Sequence, residues 1–115
     1  MSVKKEKWYL FQEYIAGILQ EIDPFARSTK GSGNKNEKGD VKNKYLHIEC
    51  KDTDKKSVTF KKDVWDKLKK EIPFHSPKTL LYALQDNDYN KWGVVDLDQY
   101  LRDYIELTKY REGKI

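Results

Sequence analysis

"GDVKNKYLHIECK", residues 39–51, decides how this 115-residue chain folds. From Tyr45 to Lys51 apolar and polar positions alternate: Leu46, Ile48 and Cys50 lie on one face and Tyr45, His47, Glu49 and Lys51 on the other. That is the period of a half-buried strand. The shorter "GDVK" pairs with it through a tight turn at Asn43-Lys44, which predicts Asp40 opposite His47 and diagonal to Glu49 on the same face. Two carboxylates and a lysine then converge where burial alone asks for none of them.

The flanking segments supply alternating helices and strands. A helix is predicted over 5–22, where Trp8, Phe11, Ile15, Ile18, Leu19 and Ile22 recur at helical spacing, with Asp23-Pro24 ending it. Three glycines and several small polar residues in "RSTKGSGNKNEKGD" then mark a loop over about 28–38 that matches neither nucleotide-binding glycine pattern, so no nucleotide cofactor is expected. Beyond Lys51 come an extended piece at 57–60 and a helix over 61–72 with Val64, Trp65, Leu68 and Ile72 on its apolar side. Strands at 79–85 and 91–97 and a last helix over 98–107 complete the chain. The order predicts an α/β fold with a mixed central β-sheet flanked by helices, in one domain spanning 1–115. Trp65 and Trp92 are expected in the core, as are Tyr82, Tyr89, Tyr100 and Tyr104. His47 is expected at the strand surface.

Composition excludes several classes. The longest wholly apolar run is "LLYAL" at 80–84, and "MSVKKEKWYL" is not followed by an apolar stretch, so neither a membrane span nor a signal peptide is expected. The lone Cys50 forms no internal disulfide and has no zinc-type spacing around it, which fits an intracellular, cytoplasmic protein. Residues 27–70 hold 14 Lys/Arg against 7 Asp/Glu, a balance of +7, whereas residues 71–115 hold 6 against 8, a balance of −2. The basic excess surrounds the opening motif. It suits a phosphate-binding surface, a solvated lysine-rich face being the alternative.

Two carboxylates that share one hard cation suit Mg²⁺, with Mn²⁺ as substitute, because these ions prefer oxygen ligands and keep waters in their remaining positions. A lysine two residues after the glutamate points to the same side of the strand, where it orients that water or stabilises charge developing on phosphorus. The chemistry expected is metal-assisted phosphodiester hydrolysis. A strand face on which Glu and Lys only balance charge is the plainer alternative.

"GD" followed by "IECK" resembles the PD-(D/E)xK nuclease motif. The ordered set of "PFARS", "KGSG", "SVTFKKDVWDKL" and "WGVVDL" around it is similar to archaeal-type Holliday junction resolvases, including viral members. Gly39 departs from the proline of the superfamily name, and "NKNEK" lengthens the loop before Asp40. The resemblance implies a restriction-endonuclease-like fold, a structure-specific endodeoxyribonuclease of DNA recombination and repair, and a homodimer acting on four-way DNA junctions. It implies Asp40, Glu49 and the backbone carbonyl of Cys50 as metal ligands and Lys51 as the catalytic lysine. Glu13, twelve residues before Phe25, matches the helix acid that completes the site, although helical spacing sets it on the polar side of the first helix, and Glu21 and Glu6 stand as alternatives. Ser32 matches a loop serine near the scissile phosphate and Arg27 a basic residue before that loop. Lys30, Lys35, Lys55, Lys56, Lys61 and Lys62 are the expected contacts to the DNA backbone. The dimer surface is expected on strand 79–85 and the terminal helix. A nuclease of the same superfamily acting on linear, nicked or flapped DNA, and a non-catalytic nucleic-acid-binding module, are the competing functions.

Overall fold

A computed structural model of the chain describes residues 6–29 and 40–114. Its elements are α1 (Lys7–Leu19), β1 (Arg27–Ser28), β2 (Val41–Lys42), β3 (Leu46–Asp52), α2 (Lys62–Glu71), β4 (Thr79–Gln85), β5 (Lys91–Val94) and α3 (Leu97–Arg111). The strands form one mixed sheet in the order β1-β2-β3-β4-β5, with β3 and β4 parallel and every other pair antiparallel. The architecture is therefore α/β, as the element order predicts.

Two apolar layers hold the sheet. On one face Phe11 and Ala16 of α1 bury against Val41, Ile48, Cys50 and Ala83. On the other Leu68 of α2, flanked by Val64, Trp65 and Ile72, packs on Leu80, Tyr82 and Leu84. The α1 N-terminus is tied to the ends of two strands by Lys7, whose Nζ donates to the Asp52 carboxylate and to the carbonyls of Thr53 (3.1 Å) and Asp86 (2.9 Å). Gln85 Nε2 donates to the same Asp52 oxygen at 3.0 Å.

Tertiary pairing changes four expectations. The polar face of β3 is not open to water: His47 is buried because the parallel β3–β4 pair needs a crossover, and that crossover lays α2 over this face. The segment 57–60 forms no strand; Phe60 instead sets its ring edge against Trp65 at 5.8 Å and Tyr82 at 5.9 Å. β4 is unavailable as a dimer surface, because it lies between β3 and β5 and five of its seven residues are buried. Trp92, Tyr89, Tyr100 and Tyr104 are exposed rather than core, lying on β5, its preceding turn and α3, which no described element covers; Tyr82 is buried as expected.

The β2–β3 register also differs. Val41 pairs with Ile48 and Lys42 with His47, and the Asp40 N–H donates to the Ile48 carbonyl, so Asp40 is carried past His47 toward Glu49 and Cys50. The physical reason is Asn43. Its buried Oδ1 accepts from the N–H groups of Tyr45 (3.0 Å) and Leu46 (3.1 Å), and its Nδ2 donates to Asp23 Oδ2 at 3.1 Å, so a wider connection replaces the two-residue turn. The shift is by two residues and therefore keeps Asp40 on the same side as Glu49.

Replacing this turn residue is expected to be costly. Asn43→Ala leaves two N–H groups and Asp23 Oδ2 without their partner and should destabilise the fold by about 2 kcal/mol in urea unfolding. Asp66→Ala, which removes only the exposed Lys62–Asp66 pair on α2, should stay within about 0.5 kcal/mol.

Candidate active site

Asp40 and the strand β3 are locked together by backbone geometry before any side chain is considered. The Asp40 N–H donates to the Ile48 carbonyl at 2.7 Å, and the Thr29 N–H donates to the Asp40 carbonyl at 3.0 Å. The Asp40 carboxylate, itself buried, accepts from the Cys50 N–H through Oδ2 at 2.9 Å. One oxygen is thereby fixed in place. Glu49, next to both Ile48 and Cys50 on β3, stands 3.4 Å from the Lys51 ammonium through Oε1.

Burial pushes the Glu49 carboxyl above its usual range, the Asp40 charge pushes it further, Lys51 pulls it back, and Glu71 adds a smaller upward push. Two acids therefore act on Glu49 against a single lysine, an imbalance that a divalent cation relieves. Burial, then Asp40 and Glu49, raise the Cys50 thiol. The thiol stays neutral and buried at physiological pH, so what Cys50 offers a cation is its backbone carbonyl. Among the described residues no three His, Cys, Asp or Glu side chains group as a metal-holding set. Two carboxylates and a carbonyl are nonetheless a donor set that fits Mg²⁺, which keeps several waters of its own.

Beside Lys51 opens a cleft of about 350 Å³, lined by Lys51, Lys55 and Lys61, the hydroxyl residues Ser57 and Thr59, and Tyr82 on its inner wall. Lys56 and Lys62 are exposed on the same connection and at the start of α2. Glu13 lies apart from this cleft. It is half-buried and lines a second cavity with Tyr9, Gln20, Arg27 and Ser28, at the β1 edge of the sheet. The charges acting on Glu49 are Asp40, Lys51 and Glu71, not Glu13. Glu6 and Glu21 are exposed near the ends of α1. Ser32, Lys30 and Lys35 lie outside the described residues.

Two polar residues of this region were missed from sequence. Glu71, whose Oε2 lies 3.2 Å from His47 Nε2, sits three residues past Leu68, on the side of α2 that also carries Ile72. A glutamate on that side needs a buried partner, and this spacing was the available signal. Gln12, buried on α1, accepts from Ser28 Oγ at 2.7 Å and holds β1 to the helix. Nothing in local periodicity distinguishes it.

No protein-family model, curated protein or solved structure matches the chain. No helix among the described residues is long and apolar enough to cross a membrane.

The raised Glu49 carboxyl has a signed consequence. Between the pH at which the unfolded chain loses this proton and the higher pH at which the folded one does, the native state holds more protons, so stability falls as pH rises through that window. Glu49→Gln should therefore melt higher than the parent at pH 7 without metal, and the gap should close in acid below the ordinary carboxylate range. A Mg²⁺ or Mn²⁺ ion held by Asp40 and Glu49 would reverse the order, stabilising the parent by about 2.7 kcal/mol at a hundredfold excess over Kd and leaving Glu49→Gln and Asp40→Asn unmoved.

Proposed function

We propose that this chain is a metal-dependent endodeoxyribonuclease of the PD-(D/E)xK type, with a restriction-endonuclease-like core, that cleaves branched DNA and above all four-way junctions. The single observation that carries the proposal is Asp40, bonded to β3 through the Ile48 carbonyl and the Cys50 N–H and near enough for its charge to act on Glu49, with Lys51 at 3.4 Å from Glu49. The lysine-lined cleft beside them supports it.

In this proposal Asp40, Glu49 and the Cys50 carbonyl hold the cation. When bound, Mg²⁺ supplies an acidified water and a positive centre for the phosphate oxygens. Asp40 is held for this task by the Cys50 N–H, so its orientation is set before substrate arrives. Lys51, half-exposed, is free to leave Glu49 for a phosphate oxygen and to stabilise the charge that builds there. Lys55 and Lys61 line the path of the backbone leading away from the scissile bond. The hydrogen bond or ion pair between His47 and Glu71 steadies the wall beneath Glu49. Glu13, which lines the β1-edge cavity together with Arg27, is the helix acid of this reading.

The deciding experiment offers a labelled four-way junction, a nicked duplex and a linear duplex of one sequence to the purified protein in Mg²⁺. Paired cuts confined to the junction are expected, absent in Glu49→Gln and slowed about a hundred- to a thousandfold in Lys51→Ala. Equal cutting of all three would make it a general nuclease, and binding without cutting a non-catalytic nucleic-acid-binding module. Glu13→Gln belongs in the same series: a loss matching Glu49→Gln assigns it to the site, and unchanged cutting removes it from the site.

Binding should respond differently to the cleft lysines. Lys55→Ala and Lys61→Ala should each weaken binding to every DNA tested and lower the slope of log K against log salt by about 0.9 per lost phosphate contact. The check is fluorescence anisotropy across a salt series in Ca²⁺.

A further inference from the structure

Trp92, a core residue by its sequence context, is 48% exposed on β5. Among the described residues no other ring meets it, whereas Trp8 and Trp65 each set a ring edge against a neighbour at 5.8 Å. Exposure of a single apolar side chain says little by itself. The position of this one says more.

The sheet register fixes that position. Lys51 pairs with Leu84 on β4, and Leu84 pairs with Trp92 on β5, so these side chains form one row across the sheet, on the face that also carries Glu49 and Tyr82. Neighbouring strands lie about 4.8 Å apart, which puts the Trp92 backbone roughly 10 Å from that of Lys51. Lys51 and Leu84 line the cleft that Lys55 and Lys61 also line, and Trp92 borders it one strand further on.

The hairpin that carries Trp92 is tied to the lysine-bearing connection. The buried Asp86 carboxylate accepts through Oδ1 from the N–H groups of Asp88 and Asn90, both at 2.9 Å, and through Oδ2 from Asn90 Nδ2 at 3.2 Å. Beside it the Asn87 N–H donates to the Lys55 carbonyl at 3.0 Å. The same turn holds Tyr89 at a φ of 67°, a left-handed conformation that only a well-determined surrounding maintains in a bulky residue. Ring and cations are thus positioned by one connected backbone before a ligand arrives.

The chemistry of the row names its occupant. Ammonium groups attract phosphate but do not tell a paired strand from an unpaired one. An exposed indole beside them takes a base on its π-face, and a base offers that face only where it has left its stack. The ligand that uses both features at once, a planar face and regularly spaced negative charge, is an unpaired nucleic-acid strand.

We propose that Trp92 is a stacking platform for an unpaired base of the DNA, next to the stretch of strand whose phosphates meet Lys51, Lys55 and Lys61. Through it the protein prefers strands that have left the duplex. This role depends on the DNA-directed reading above and not on cleavage.

Fluorescence anisotropy with a labelled oligothymidine of about ten nucleotides, in Ca²⁺, tests it. Trp92→Ala should weaken binding about ten- to a hundredfold and Trp92→Leu nearly as much, while Trp92→Phe, which restores a ring, should recover most of the loss. The slope of log K against log salt should be the same in Trp92→Ala as in the parent, since no phosphate contact is lost, whereas a variant that had merely disturbed the lysine surface would lower it. A parent that does not bind the oligonucleotide, a Trp92→Leu that binds as tightly as the parent, or a salt slope that falls in Trp92→Ala as it does in Lys55→Ala overturns the proposal. Trp92-dependent binding to DNA that stays uncut sustains the platform without the nuclease. Junction cutting by a protein whose oligonucleotide binding ignores Trp92 does the reverse.

Discussion

Everything in this molecule depends on the parallel pairing of β3 with β4. Parallel neighbours cannot be joined by a tight turn, so the chain between them must cross the sheet, and here it does so as α2. With α1 already on one face, α2 closes the other, and the ionisable residues of β3 are caught between layers. His47 is buried and Glu49 largely so, on a strand whose sequence alternates as if one face met water. The desolvation that raises Glu49 is a direct result of this topology.

Desolvation alone would disfavour a charged residue at that place, and the local order explains why it is tolerated. Asp40 has its carboxylate bound to a backbone N–H, Lys51 stands beside Glu49, and Glu71 is engaged with His47. The charges remain unbalanced toward the negative, which is the condition in which a bound cation contributes most to stability and to catalysis at once. Lys51 is the most exposed of the group and faces the cleft that Lys55 and Lys61 also line. The gradient runs from a buried acidic floor to an open basic rim, and the proposed function draws on that order.

α3 obeys the same rule from the opposite side. An amphipathic helix reports an intended neighbour as surely when the neighbour is missing from the chain as when it is present. α1 and α2 find theirs in the sheet, through Phe11 and Leu68. The apolar arc of α3 finds none among the described residues.

The sequence by itself determined the local elements and the parity of the site. Helical spacing located α1 and α2 to within a few residues, alternation located β3, and a side-chain period of two ensured that Asp40, Glu49 and Lys51 would share a side under any even register. What only the tertiary structure decided was which residue faces which and what covers them. The Asn43 side chain replaced the tight turn and carried Asp40 past His47 toward Glu49 and Cys50. The α2 crossover brought Glu71 to His47 from 24 residues away, and the same packing left Trp92 and the tyrosines of α3 outside the core. Periodicity speaks only of one element's own faces. Register, cover and cross-element charge arise from contacts between segments distant in sequence, where burial and pairing override the local pattern.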